Sequence, residues 1–184
     1  GDVKPERITR LRARRLPPEA FPPGVMAGPE LYRLLVPEAQ TPMLSVATAI
    51  APIAAKALRF DLNTLGLGSR ERIGSRDNNP VYRLVDRIAK CIGVESFELY
   101  LSPNWQGMPR MYPGDPHAIV AHPSVAELPE PEQAFSFGRL LVRAIFGHIW
   151  LDELAPEAID GLLVGSLRAL EPTFGTRELG PTRE

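Results

Sequence analysis

The sequence predicts an α+β fold in which helices dominate. Threonine–proline and asparagine–proline pairs at residues 41–42 and 79–80 each place a capping side chain before a proline, and many helices begin in this way. Residues 81–92 carry apolar side chains at helical spacing on one face, and the glycine that follows them can end the helix. The apolar pattern of residues 156–170 predicts a third helix, which should end before Pro172.

Six basic residues near the start of the chain allow two interpretations. One is an arm that binds the phosphates of a nucleic acid. We favour a solvated helix or a segment lying over the chain's own acidic surface, because stacking on bases needs aromatic side chains between the basic ones, and few are present. Residues 16–28 are rich in proline and glycine, which predicts an extended strap. The six basic residues are Lys4, Arg7, Arg10, Arg12, Arg14 and Arg15.

Residues 43–58 are almost wholly apolar or small, with Pro52 in their middle. A membrane span is one interpretation, but a bilayer needs about 20 apolar residues and this segment is shorter. It also contains a proline expected to kink a helix. The segment therefore predicts a buried central helix and no membrane span.

Composition limits the classes of function. The chain has 184 residues, of which 44% are hydrophobic, and its net charge is −1. This is enough apolar content for a real core, and the charge gives no general attraction to nucleic acid or to anionic membranes. Cys91 is the single cysteine, which excludes an internal disulfide and indicates a reducing, cytoplasmic location. Because the chain does not begin with methionine, we expect it to be part of a larger protein.

Residues 135–148 have the frame of a peptidase helix. They read F-S-F-G-R-L-L-V-R-A-I-F-G-H, with Gly138 and the closing Gly147-His148 in the glycine and histidine positions of the motif G-H-E-x-x-H-x-x-x-G-H. Residues 79–150 as a whole resemble the HExxH zincins related to CAAX-prenyl endopeptidases and membrane-bound heat-shock peptidases.

The resemblance implies the arrangement of the chain. It implies a strand at 97–102, a loop at 104–116 and an edge strand at 117–121, with helices at 80–92 and 131–149. The apolar pattern adds the helix at 156–170. The fold class is therefore α+β and mostly helical, with a small sheet in a zincin-like core. We divide the chain into an N-terminal arm and helical extension (1–76), that core (77–175) and a flexible tail (176–184).

The chemical positions of the peptidase motif are filled by other residues. Arg139 and Arg143 stand where the motif has its two histidines, and Leu140 stands at the glutamate. A guanidinium stays protonated and cannot ligate zinc, and a leucine cannot act as a general base. We therefore predict a pseudoenzyme with no catalytic residues, no metal and no cofactor.

The two arginines are four residues apart and share one face of a helix. Because a buried and unpaired guanidinium is costly, we expect both to face solvent or to bond to acids or backbone carbonyls. Asp115, Glu153 and Glu157 are the acids we expect as partners.

The segment 102–116 is the candidate binding surface. It is rich in proline and contains Trp105, Arg110 and Tyr112, which are residue types favoured at protein interfaces. The alternative is that these side chains fold back over the core. The predicted function is a non-catalytic protein-interaction or scaffold module. The alternatives are a hydrolase with an unrecognised site, or nucleic-acid binding through the arginine-rich arm.

Overall fold

A computed structural model describes residues 31–32, 41–58 and 61–175. The basic arm, the strap at 16–28 and the tail at 176–184 lie outside these ranges. Within them the chain has four complete helices and a four-stranded mixed sheet, so the predicted mostly helical α+β class is confirmed. The helices are α1 (Pro42–Ala57), α2 (Pro80–Ile92), α3 (Glu130–Ile145) and α4 (Pro156–Leu170). The strands are β1 (Arg72–Ile73), β2 (Phe97–Leu101), β3 (Arg110–Tyr112) and β4 (His117–Ala121).

The capped helix starts are present at both expected places. The Thr41 side chain accepts a hydrogen bond from the backbone N–H of Leu44 at 3.4 Å. The Asn79 side chain accepts one from Val81 at 2.9 Å. Helix α2 ends at Gly93, whose φ of 84° is in the left-handed region that favours glycine. Local chain chemistry therefore sets these helix boundaries.

The sheet differs from the expected arrangement at one edge. Its strand order is β1-β2-β4-β3, in which β2 and β4 are parallel and the two outer pairs are antiparallel. His117–Ala121 is thus an inner strand, and the expectation of an edge strand is wrong. The edge is instead β3, inside the segment expected to be a loop. Prolines and glycines around β3 argue against a strand in the local sequence. The strand is recognised from its antiparallel pairing with β4 across a short turn.

The strand β1 lies before residue 77, in the part assigned to the N-terminal extension. It pairs with β2, with Arg72 opposite Tyr100 and Ile73 opposite Leu99. The extension therefore supplies an edge strand to the sheet of the core.

The main core lies between one face of the sheet and the helices α2 and α3. Its fully buried members include Val85, Leu99, Ile119, Phe137 and Leu141. Cys91 is half-buried and packs against this cluster, as a small hydrophobic residue does. A smaller cluster on the opposite face of the sheet is formed by Leu67, Tyr100, Tyr112, Ala118 and Val120.

Helix α1 is not the buried central helix that its composition predicts. Only Ala47 and Ala54 are buried, and they pack with Trp150 and Leu163 in a third cluster. The remaining apolar side chains are half-buried or exposed. Among the described elements, α1 packs mainly against α4 and the turn Ile149–Glu153. No helix in the described ranges has both the length and the apolar character needed to cross a bilayer.

Candidate functional site

Helix α3 carries Arg139, Leu140 and Arg143, the three residues that the predicted resemblance aligns with the peptidase motif. Leu140 points into the main core and is 3% exposed, so this side chain is used for packing. Arg139 and Arg143 are half-buried on the neighbouring part of the helix. The helix ends at Ile145, earlier than predicted, because Gly147 takes a φ of 67° and the N–H of His148 bonds back to the carbonyl of Arg143 at 2.9 Å.

Arg143 is held by a carboxylate that the sequence analysis did not name. Its Nη1 and Nη2 donate to the two carboxylate oxygens of Asp152 at 2.7 and 2.8 Å. Nη2 also donates to the carbonyl of His148 at 3.3 Å. This planar two-point contact fixes the orientation of the guanidinium. Arg143 therefore joins the end of α3 to the turn Ile149–Glu153.

Arg139 is less well satisfied. Its Nη2 lies 3.5 Å from the carbonyl oxygen of Pro109, which is a long hydrogen bond. Its Nε is buried and has no acceptor in the described part of the chain. The expectation that both arginines bond to acids or carbonyls thus agrees with the contacts, although the acid is Asp152 and not Asp115, Glu153 or Glu157.

Arg110 of β3 contacts the same turn from the other side. Its Nη2 donates to the carbonyl of Asp152 at 2.7 Å and to the carboxylate of Glu153 at 3.0 Å. The guanidinium also lies over the ring of Tyr112, 5.2 Å from its centre, within the range of a cation–π interaction. The turn Ile149–Glu153 is therefore held by one arginine from the sheet edge and one from α3.

The charged side chains around the turn Ile149–Glu153 form ion pairs and hydrogen bonds that hold the fold together. Among the described residues, no three side chains of His, Cys, Asp or Glu come close enough together to hold a metal ion. Asp152 and Glu153, the acids of the turn beside α3, each accept hydrogen bonds from a guanidinium, so their oxygens contribute to holding this turn. The described groups on this face offer packing and ion pairs, and we identify no nucleophile–base pair among them.

The candidate binding segment 102–116 folds against the sheet. Tyr112 is 3% exposed, and burial raises the pKa of its hydroxyl. The Trp105 ring meets the Tyr112 ring edge to face at 6.2 Å, and its Nε1–H donates to the carbonyl of Met108 at 3.1 Å. Tyr112 is thus not available as contact surface while the chain is folded, which corrects its place in the predicted surface. Trp105 and Arg110 keep exposed area and stay predictions as contact residues.

An apolar surface lies elsewhere, between α1 and α4. A groove of about 330 Å³ separates these helices. Ile53 on α1 is 72% exposed, and Leu162 on α4 is also exposed. We call this surface the α1–α4 face, defined by Ile50, Ile53, Ala57, Leu58, Leu154 and Leu162.

The sequence contains a signal for this surface. Helices α1 and α4 are both apolar well beyond one stripe, and a helix of that kind is expected to be covered on most sides. From the sequence we expected residues 43–58 to be buried within the core of this chain. Within the described residues, α1 contacts α4 and the turn Ile149–Glu153, and Leu163 is the one buried residue of α4.

Helix α1 is attached to the core by a polar contact and a close approach. The Nε2 atom of the buried His148 lies 2.9 Å from the Thr48 hydroxyl and 3.3 Å from the Leu44 carbonyl. Burial lowers the pKa of His148, so the ring is neutral near pH 7. A Cβ added to Gly147 would lie 2.6 Å from the Cβ of Ala51, so the glycine is what allows α1 to approach.

No protein-family model, curated protein or solved structure matches this chain. The arginine-rich arm lies outside the described residues, so nucleic-acid binding stays a prediction of the sequence alone.

Proposed function

We propose that this chain is a non-catalytic protein-interaction module, with a zincin-like core, of a larger protein. The exposed apolar α1–α4 face is the observation that carries the proposal. Contiguous apolar surface of this kind on a folded domain marks a site of association. The occupant we propose is an amphipathic helix of a protein partner, because a groove between two helices accepts a third helix through side chains spaced three and four residues apart.

The non-catalytic part of the proposal is supported by the contacts of α3. Leu140 contributes to the main core and Arg143 is paired with Asp152. Both positions are thus used for folding, and neither supplies a metal ligand or a general base. On this proposal, residues 79–150 share the fold of the peptidases without their chemistry.

The test of the surface is site-specific photo-cross-linking in the cells that make the protein. A photoreactive benzoyl-phenylalanine at Ile53 should form an adduct with a protein partner. The matched control places the same residue at Arg83, which is exposed on α2. The Ile53 adduct should disappear when Leu162→Asp introduces a charge into the groove, and the purified partner should bind the domain at least tenfold more weakly after the same change.

Two outcomes would contradict this assignment. An adduct formed equally at Ile53 and Arg83 would mean that the α1–α4 face is not specific. An adduct whose mass is twice that of the chain would make the face a contact between two copies. The non-catalytic part is tested separately, since zinc that stays with the folded protein at one ion per chain, measured by elemental analysis, would overturn it.

A further inference from the structure

Arg139 is the one arginine beside the turn Ile149–Glu153 that has no acid partner in the described part of the chain. Arg110 and Arg143 each form an ion pair with an acid of that turn. The hydrogen bond of Arg139 is the 3.5 Å contact with the carbonyl of Pro109, a neutral group. This group of guanidiniums and carboxylates therefore keeps one unbalanced positive charge, at Arg139.

The guanidinium of Arg139 is partly removed from water. Its Nε is buried without an acceptor, whereas Nη1, which also has no hydrogen bond within the described residues, is not buried. A cation in this position has lost part of its hydration without gaining a counter-charge. A carboxylate brought by another molecule should therefore gain more here than at a fully hydrated arginine.

Two exposed apolar side chains flank this arginine. Phe135 lies one turn earlier on α3 and is 71% exposed. Met108 directly precedes Pro109, whose carbonyl Arg139 contacts, and is 61% exposed. The bond from the Trp105 indole to the Met108 carbonyl closes the turn that presents Met108. Aromatic, methionine and arginine side chains are enriched at protein interfaces, so this combination is typical of a contact surface.

We propose that Met108, Phe135 and Arg139, which we call the α3 surface, bind a segment of a protein partner in which an acidic residue stands between apolar ones. The carboxylate pairs with Arg139, and the apolar side chains pack on Phe135 and Met108. The α3 surface extends the predicted contact segment 102–116 onto α3. It shares no residue with the α1–α4 face and does not depend on what that face binds.

The charge of the α3 surface favours a carboxylate over other anions. One unbalanced guanidinium matches the single charge of an aspartate or glutamate, whereas a phosphate monoester carries about two charges. Nucleic acids need several cations along a backbone of phosphates, and the α3 surface offers one. The exposed Phe135 and Met108 add apolar contact area that a free anion would leave unused.

The experiment uses three peptides that differ only at the central residue. Each is acetylated and amidated and reads serine, phenylalanine, X, leucine, serine, where X is glutamate, glutamine or lysine. The readout is the Nε–H signal of Arg139 in a ¹⁵N-labelled sample, assigned with Arg139→Lys. The glutamate peptide should shift this signal saturably, with a Kd on the order of 1 mM for so small a ligand. The glutamine peptide should bind about fivefold more weakly, and the lysine peptide should give no saturable shift.

Matched variants locate the site. Phe135→Ser should weaken binding of the glutamate peptide about fivefold, whereas Ile53→Ser, at a side chain that is 72% exposed on α1, should leave it unchanged. Arg139→Gln should reduce the preference for glutamate over glutamine to about twofold or less. Arg83→Gln, at an exposed arginine of α2 that bonds to an asparagine, should keep the preference at about fivefold. Binding to the Arg139 variant is followed through the peptide signals, and backbone amide spectra show that each variant is folded.

Several results would overturn the proposal. One is the absence of any saturable shift of the Arg139 signal with the glutamate peptide. A second is equal binding of the glutamate and glutamine peptides to the unaltered protein, because the charge would then have no role. Equal weakening by Phe135→Ser and Ile53→Ser would place the peptides elsewhere. A dimer in analytical ultracentrifugation that Phe135→Ser converts to a monomer would make the α3 surface a contact between two copies of the chain.

Discussion

Helices α1 and α2 begin in the same way but differ in what covers them. Each has a capping side chain followed by proline, and their lengths are 16 and 13 residues. Helix α2 buries Val81, Leu84, Val85, Ala89 and Ile92 in one stripe and turns charged residues outward. Helix α1 is the more apolar of the two, yet it buries only two alanines.

The difference shows that apolar content and burial are separate properties of a helix. Helix α2 packs on α3 beside the sheet, so its stripe is complete within the described chain. Helix α1 is attached through His148, Gly147 and a small cluster around Trp150. Within the described residues, the apolar side chains of α1 that stay exposed form one side of the α1–α4 face, on which the proposed function rests.

The largest expected difference between the two regions concerns side-chain truncation. Phe137→Ala removes a fully buried ring from the main core and should lower the free energy of unfolding by about 4 kcal/mol. Ile53→Ala on α1 should change it by less than about 0.5 kcal/mol, because the side chain is largely in solvent. Urea denaturation gives the free energy of unfolding of both variants and of the unaltered protein. A large loss from Ile53→Ala would mean that this face is covered within the folded chain.

The attachment of α1 is tested by glycine substitution. Gly147→Ala adds a Cβ at a φ of 67° and 2.6 Å from Ala51, and should destabilise by about 3 kcal/mol through both strain and overlap. Gly66→Ala has a φ of 65° with no atom near the added Cβ, so it should lose only about 1 kcal/mol. Combining Gly147→Ala with Ala51→Gly should recover part of the loss. Equal losses for the two alanine variants would show that the contact with α1 is unimportant.

The buried histidine makes the attachment of α1 sensitive to pH. Burial holds the pKa of His148 below its ordinary value of 6.5, so below that pH the unfolded chain binds more protons than the folded chain. Stability should therefore fall as the pH drops below about 6.5 toward 5. His148→Gln should reduce this dependence, and His117, whose pKa is also lowered, accounts for a further part. Denaturant titrations at about pH 7.5, 6.5 and 5.5 give the free energy of unfolding at each pH, and hence its slope against pH. An unchanged slope in His148→Gln would contradict the assignment.

The smallest expected effect concerns the ion pairs. Arg143→Lys replaces a two-point contact with Asp152 by a single one and should cost about 1 kcal/mol. Arg87→Lys makes the same exchange at a more exposed pair with Glu130 and should cost less than about 0.5 kcal/mol. Thermal denaturation of the two variants is sufficient to compare them. The assignment of Arg143 as a structural residue fails if its exchange is as mild as that of Arg87.

Part of the candidate site was predictable from residue types alone. Arg139, Leu140 and Arg143 exclude zinc ligation at their positions by their chemistry, whatever fold surrounds them. The expectation that the arginines bond to acids or carbonyls needed only the cost of burying a guanidinium. The sequence did not identify Asp152 as the partner of Arg143. Asp152 lies nine residues further on, and it comes within reach because the helix ends early, at the positive φ of Gly147.

The sequence by itself determined the capped starts of α1 and α2, the stripe of α2 and the mostly helical α+β class. These features depend on residues within a few positions of one another, so the local pattern contains the information. Tertiary structure decided which strand forms the sheet edge, that Tyr112 is buried, and that α1 keeps exposed apolar surface. Arg110 meets Glu153 across 43 residues and His148 meets Thr48 across 100. Contacts over such separations depend on how the whole chain packs, which no local pattern specifies.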